Sequence, residues 1–226
     1  MNVFSQAVSL IFSGDRELAG IIGVTLLMSV FSTGISSLLG IPLGIFIGKN
    51  RFPGRGGLLA LLNTLMALPP VLAGLIVFML FRSVGPFGSL HLMFSVPVMV
   101  IAQVLLIAPV TAGLTAAAVE AKAPAILETA GGLGVSRPGR LLLLGRECAG
   151  QLVSVTLAGF GRSIAEVGAV SLVGGNIQYK TRVMTTAILL EANKGDFRKA
   201  LAVGMVLMTL ALLVNVPAYF LREKLK

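Results

Sequence analysis

Glu120–Glu147 reads EAKAPAILETAGGLGVSRPGRLLLLGRE. It carries three acidic residues (Glu120, Glu128, Glu147) and four basic ones (Lys122, Arg137, Arg140, Arg146), while the runs on either side are almost free of charge. Leu18–Gly48, Gly56–Phe81, Met93–Val119 and Ala200–Leu221 contain no Asp, Glu, Lys or Arg, and Cys148–Tyr179 contains only Arg162 and Glu166. A polar segment set between such runs has its use outside the lipid, and its composition suits a platform on which a second protein docks.

The whole chain agrees with that frame. Of its 226 residues 56% are hydrophobic and 12% charged, with a mean hydropathy of +0.95. Soluble domains average about 45–50% apolar and about 25% charged residues, so the expected solvent is lipid and the class is an all-α integral membrane protein. A membrane helix needs roughly 20 apolar residues. Five spans are expected, at about 18–48, 57–82, 93–118, 148–174 and 200–221, with a connecting segment at 120–147.

Charge places the ends. Lys49, Arg51, Arg55, the four basic residues of 120–147, and Arg222, Lys224 and Lys226 make ten on one side. Arg16, Arg82, Lys180, Arg182, Lys194, Arg198 and Lys199 make seven on the other. Basic residues concentrate on the cytoplasmic side, so residues 1–17 are expected outside and the tail 222–226 in the cytoplasm. Residues 176–199 run against that rule. The net charge of +9 suits anionic headgroups. No basic stripe with interleaved aromatics marks a nucleic-acid surface. Cys148 has no second cysteine, and His91 has no companion for a metal site. The start of the chain lacks the basic n-region of a cleavable signal.

Breakers add detail. Pro69-Pro70 and Pro109 fall inside expected spans, either as packing kinks or as kinks lining a pathway. Gly40, Gly44 and Gly48 repeat every four residues and offer a smooth face to another helix. Within the polar segment, Pro124 is expected to break the third helix, Ala125–Ala130 to form helix, Gly131, Gly132 and Gly134 to turn, and Ser136 with Pro138 to start a second short helix.

The segment resembles the EAA loop of ABC-importer permeases, a Glu-Ala-Ala with Gly four residues after the second Ala. Glu128, Thr129, Ala130 and Gly134 stand at that spacing. Thr129 replaces the first Ala, and Gly145-Arg146-Glu147 stands where the family often has an apolar residue and Leu-Pro. The resemblance implies a type I importer bundle whose coupling helix, Glu128–Gly134 flanked by Ser136–Arg140, sits in a groove of a separate ATP-binding subunit, with Ser136 and Arg137 among the coupling residues. This chain has no GxxxxGK[ST] phosphate loop. ATP and Mg are therefore expected on that partner, and this chain is expected to be neither an enzyme nor a cofactor carrier.

Arg162 and Glu166 are four apart, so on a helix they share a face and can pair. Two readings stand open: a structural ion pair against neighbouring helices, or a pair bordering the substrate route. The stretch Arg162–Ile188 resembles molybdate/tungstate-type permeases through Ala-Glu-Val-Gly-Ala, Gly-Gly-Asn-Ile and Thr-Arg-Val-Met-Thr-Thr-Ala-Ile, and is closer to the tungstate branch. That resemblance implies import of a tetrahedral oxyanion, tungstate first and molybdate or sulfate as alternatives. It makes Arg162, Glu166, Asn176, Thr181 and Arg182 candidates for the pathway or gate. Thr181–Leu190 is too short to span and is expected as an amphipathic or re-entrant helix. Lys180 and Arg182 near its start either attract the anion or meet headgroups or a docked partner. The implied partners are a second copy of the chain, the ATP-binding subunit and an extracytoplasmic oxyanion-binding protein, in a prokaryotic cell membrane. A carrier or channel using Glu166 without ATP is the alternative of another class. A membrane enzyme would need a cluster of ionisable groups that the spans lack.

Overall fold

The computed structural model describes residues 16–224. Most of the N-terminal segment expected at 1–17, and the last two residues of the tail expected at 222–226, lie outside the described residues. Those described are helical with short connections. The helices are α1 (Arg16–Lys49), α2 (Arg55–Met66), α3 (Pro70–Phe81), α4 (Val96–Gly132), α5 (Arg137–Glu147), α6 (Ala149–Ile164), α7 (Gly168–Gly174), α8 (Met184–Asn193) and α9 (Phe197–Lys224), with a single 3-10 turn at Gly88–Leu90.

Three helices, α1, α4 and α9, are each long and apolar enough to cross a membrane, and five spans result if the bent pairs α2–α3 and α5–α6 each count as one. Three expectations change. The run expected as one span at 57–82 is two helices, with the chain turning sharply between them. Pro69 holds extended backbone (φ −62°, ψ 130°), and Pro70 opens α3, where a missing N–H costs nothing. The expected span 148–174 stops as a helix at Ile164, and Ala165–Val167 are not helical. Pro124 does not break the third helix: α4 runs through both Pro109 and Pro124 to Gly132.

Contacts divide the chain into two compact units. One comprises residues 16–32, Leu68–Leu105 and Phe160–Val214. Its apolar centre is Ile21, Met184, Ala187, Val203 and Val206, from α1, α8 and α9. Here α3 and α7 approach backbone to backbone, since a Cβ on Gly74 would lie 2.7 Å from the Ala169 Cα. Thr25 links two elements of this unit: its Oγ1 donates to the Ile21 carbonyl (2.7 Å) and accepts from the Met184 N–H (3.0 Å), the first of α8.

The other unit comprises Thr33–Ala67, Leu106–Gly159 and the chain from Asn215 onward. The glycine repeat does what its spacing predicts. A Cβ on Gly44 would lie 2.6 Å from the Ala112 carbonyl and one on Gly48 2.6 Å from that of Ala116, while one on Gly40 would clash with the Thr111 side chain. Here α1 therefore lies directly on α4, and Thr111 Oγ1 donates to the Ser36 carbonyl across that seam (2.9 Å). Ile47, Leu62, Ala112 and Ala116 fill one cluster beside it, and Val119, Ala123, Leu144 and Cys148 a second that seats α5 on α4. Large apolar side chains such as Leu38, Leu43 and Phe46 remain exposed, as expected of a surface solvated by lipid tails.

Candidate functional site

The expected docking segment is a hydrogen-bonded turn between α4 and α5. Glu128 and Thr129 are exposed on the last turns of α4, and the Thr129 Oγ1 donates back to the Ala125 carbonyl (2.8 Å). Ala130 is buried, and its carbonyl accepts from the Val135 N–H (2.9 Å). Gly134 closes the helix end at φ +72°, a left-handed position that favours glycine. Its N–H donates to the Gly131 carbonyl (3.1 Å). The Ser136 Oγ then accepts from the Gly139 N–H (3.4 Å) at the start of α5, with Pro138 in the first turn. Arg140 clamps the turn from α5, its Nε donating to the Val135 carbonyl (2.7 Å).

The outer face of this turn presents Glu128, Thr129, Leu133, Gly134, Ser136 and Arg137, all exposed. Leu133 is 76% exposed at the tip. Spacing did not single it out, and it stands as an apolar side chain between Glu128 and Arg137. Among the described residues, neither Glu128 nor Arg137 makes an ion pair within the chain.

The second candidate set behaves differently. Glu166 lies beyond the end of α6 and does not pair with Arg162; the shared helical face fails because the helix stops at Ile164. Instead the Glu166 carboxylate accepts from the Ala169 N–H (2.9 Å) in the first turn of α7, and its carbonyl accepts from the Thr185 Oγ1 (2.7 Å). Arg162 is half-buried, with its Nε enclosed and without a partner. Thr181 is buried and braces a turn, donating to the Gly174 carbonyl (2.6 Å) and accepting from the Ile177 N–H (3.0 Å). Asn176, at φ +50°, accepts from the Arg182 Nε (3.3 Å), and Arg182 is ion-paired with Glu17 at 2.8 Å. The structure thus brings Asn176 and Arg182 together, while Glu166 and Thr181 brace separate stretches of backbone and the Arg162 Nε has no partner. The expected short helix begins at Met184 rather than Thr181.

Two features escaped the sequence. Gln103 of α4 is fully buried and ties Ser32 of α1 to Ser163 of α6. Its Oε1 accepts from both hydroxyls (2.6 and 2.7 Å), and its Nε2 donates to the Ser163 carbonyl (2.9 Å). A lone Gln in an apolar run gives no signal of where its partners lie. The second is Glu191, which binds both Lys194 (3.0 Å) and Lys199 (3.3 Å). Burial raises the Glu191 carboxyl, but the two lysine hydrogen bonds outweigh it and hold its pKa below the usual carboxylate value.

Against this geometry stand the comparisons. Residues 40–226 match the model of the family described as the binding-protein-dependent transport system inner membrane component. The chain belongs to this family. It is thereby a permease, a multi-pass inner-membrane protein with the all-helical fold of type I ABC permeases. The permease is 35% identical over 221 residues to a tungstate uptake system permease protein of Peptoclostridium acidaminophilum, covering 98% of this chain and 97% of that one. It is 33% identical over 210 residues to a probable anion ABC transporter permease protein of Haloferax volcanii, covering 89% and 90%. A sulfate transport system permease protein of Synechocystis is 28% identical over 220 residues, covering 93% and 79%. Such relatives are membrane subunits rather than catalysts.

Proposed function

We propose that this permease is the membrane subunit of an ATP-driven importer for a tetrahedral oxyanion, tungstate. The observation that carries the reading is its identity, over nearly the full length, with permeases whose own names specify tungstate uptake. Two copies form the pathway between them. A separate ATP-binding subunit hydrolyses ATP with Mg, and an extracytoplasmic binding protein delivers the anion; this chain carries no cofactor. Five spans, with the N-terminus outside and the C-terminus in the cytoplasm, put the turn at 128–137 on the side where ATP is found.

The turn couples the two subunits mechanically. Glu128, Thr129, Leu133, Gly134 and Arg137 enter the ATP-binding subunit's groove, and Ala130, Ser136 and Arg140 keep the turn from yielding. Because α4 is one helix from Val96 to Gly132, a push on the turn acts on the end of a lever rather than on a tether. Of the pathway candidates, Arg162 keeps a guanidinium free to attract an anion. Glu166, Asn176, Thr181 and Arg182 shape their own connections, since each already bonds within the chain. Sulfate is the second reading, favoured by the sulfate transport permeases among the relatives.

Uptake of labelled tungstate in cells carrying the permease with its partner subunits tests the substrate. Excess sulfate is expected to compete poorly, and depletion of ATP to stop uptake. Equal competition by sulfate would move the assignment to sulfate, and uptake that survives ATP depletion would make the protein a secondary carrier.

A further inference from the structure

The turn between α1 and α2 gathers three basic residues beside α4. Lys49 ends α1, where the Asn50 side chain donates back to the Phe46 carbonyl (2.9 Å). Gly54, at φ +87°, reverses the chain so that Arg55 opens α2. Phe52 packs on Phe46 with ring centroids 5.6 Å apart, which fixes the turn. Lys49, Arg51 and Arg55 then line one side of a cavity of about 280 Å³, and Glu120, Pro124 and Leu127 of α4 line the other.

The charges in this cavity are unbalanced. Arg55 is committed twice, to the Ile47 carbonyl (2.9 Å) and to Glu120 at 2.8 Å. The hydrogen bond from Arg55, helped by the charges of Arg55 and Arg51, holds the Glu120 carboxyl below the usual carboxylate range, so Glu120 is one carboxylate facing three cations. Among the described residues, Lys49 and Arg51 make no ion pair. The cavity therefore carries an excess of positive charge, from Lys49 and Arg51, beside the apolar wall of Ala123, Pro124 and Leu127.

We propose that this cavity binds a tetrahedral phosphate-class oxyanion group through Lys49 and Arg51. The group is either the headgroup of an anionic phospholipid, whose glycerol end would meet Pro124 and Leu127, or a free oxyanion. Each cation near such a group adds Coulombic attraction, and an ammonium beside a guanidinium offers several donors to one tetrahedral centre. Because Pro124 and Leu127 stand four residues and one residue before Glu128 on α4, the occupant touches the same helix that carries the docking turn.

The test uses the full-length protein in mild detergent, without ATP or tungstate, so its outcome is independent of the transport reading. The protein is equilibrated with mixed phosphatidylglycerol and phosphatidylcholine, and retained lipid is counted by native mass spectrometry. A lipid-free sample is dialysed against labelled inorganic phosphate. The wild type and a Lys180→Gln/Arg198→Gln control should retain phosphatidylglycerol over phosphatidylcholine. The Lys49→Gln/Arg51→Gln protein should retain on the order of tenfold less. If only phosphate binding falls in that variant, the occupant is a free oxyanion. If neither phosphatidylglycerol retention nor phosphate binding falls, the site does not exist. Should the double variant fold poorly, Arg51→Gln alone changes one exposed turn residue and should give an intermediate loss.

Discussion

The turn at 128–137 and the stretch 162–182 are both polar interruptions of an apolar chain, and the structure treats them in opposite ways. In the turn the backbone is satisfied internally while the side chains of Glu128, Leu133 and Arg137 are left facing outward. In 162–182 most of the candidate side chains are themselves consumed. Glu166 holds the first turn of α7, Thr181 braces a loop, and Arg182 joins Asn176 and Glu17. Polar groups spent on their own chain give shape, and polar groups left over give recognition. Burying an unpaired polar group costs too much for most to be retained without use. Among the candidate residues of the second region, Arg162, with a buried and unpartnered Nε, is the exception.

The sharpest way to break this contrast is charge reversal at the turn. Glu128→Arg should leave membrane insertion and thermal unfolding unchanged, because Glu128 makes no ion pair within the chain. Anion uptake and the ATP hydrolysis stimulated by the binding protein should fall by about tenfold or more, as reversal of an interface charge commonly does. Normal uptake by that variant would remove the coupling role. The opposite signature belongs to the buried knot. Gln103→Leu should lower the unfolding free energy by about 1–2 kcal/mol, read by thermal unfolding in detergent, while the ATP-binding subunit still binds.

Smaller effects sharpen the second region. Glu166→Ala should cost about 1 kcal/mol through loss of the cap on α7, and Glu166→Gln, which keeps an acceptor oxygen, should recover most of it. Equal stability in both variants would show that the cap contributes nothing. Equal loss of transport in both, with stability intact, would return Glu166 to the pathway as a charge. Acid titration should show the smallest change. The Glu191 carboxyl is held below its usual value of 4.5, so its pairing with Lys194 and Lys199 contributes above that pH and is lost as pH falls through the lowered folded value. The lysines are largely solvated, which limits the loss to below about 1 kcal/mol. A Glu191→Gln protein should lack this acid-dependent component.

What could be read without coordinates follows from the range of each signal. Charge-free runs located the long helices α1, α4 and α9, and the four-residue glycine repeat located the seam between α1 and α4, because both depend only on neighbours in sequence. Ser136 and Pro138 announced α5 for the same reason. The errors came where a local rule met a tertiary one. Pro124 was expected to stop a helix, but α4 continues through it, supported by the cluster of Val119, Ala123, Leu144 and Cys148. The Arg162–Glu166 pair relied on helical spacing that ends two residues too early. Gln103, Ser32 and Ser163 lie 60 to 131 positions apart as hydrogen-bonding pairs, a separation no local pattern encodes.

The first measurement to make is purification of the tagged chain from its own membranes in mild detergent, with identification of what accompanies it, for the wild type and Glu128→Arg side by side. A stoichiometric ATP-binding subunit with the wild type, lost or much reduced with Glu128→Arg, is the predicted result. A chain that purifies without an ATP-binding subunit, or one whose partner is retained equally by both proteins, would contradict docking through the turn at 128–137.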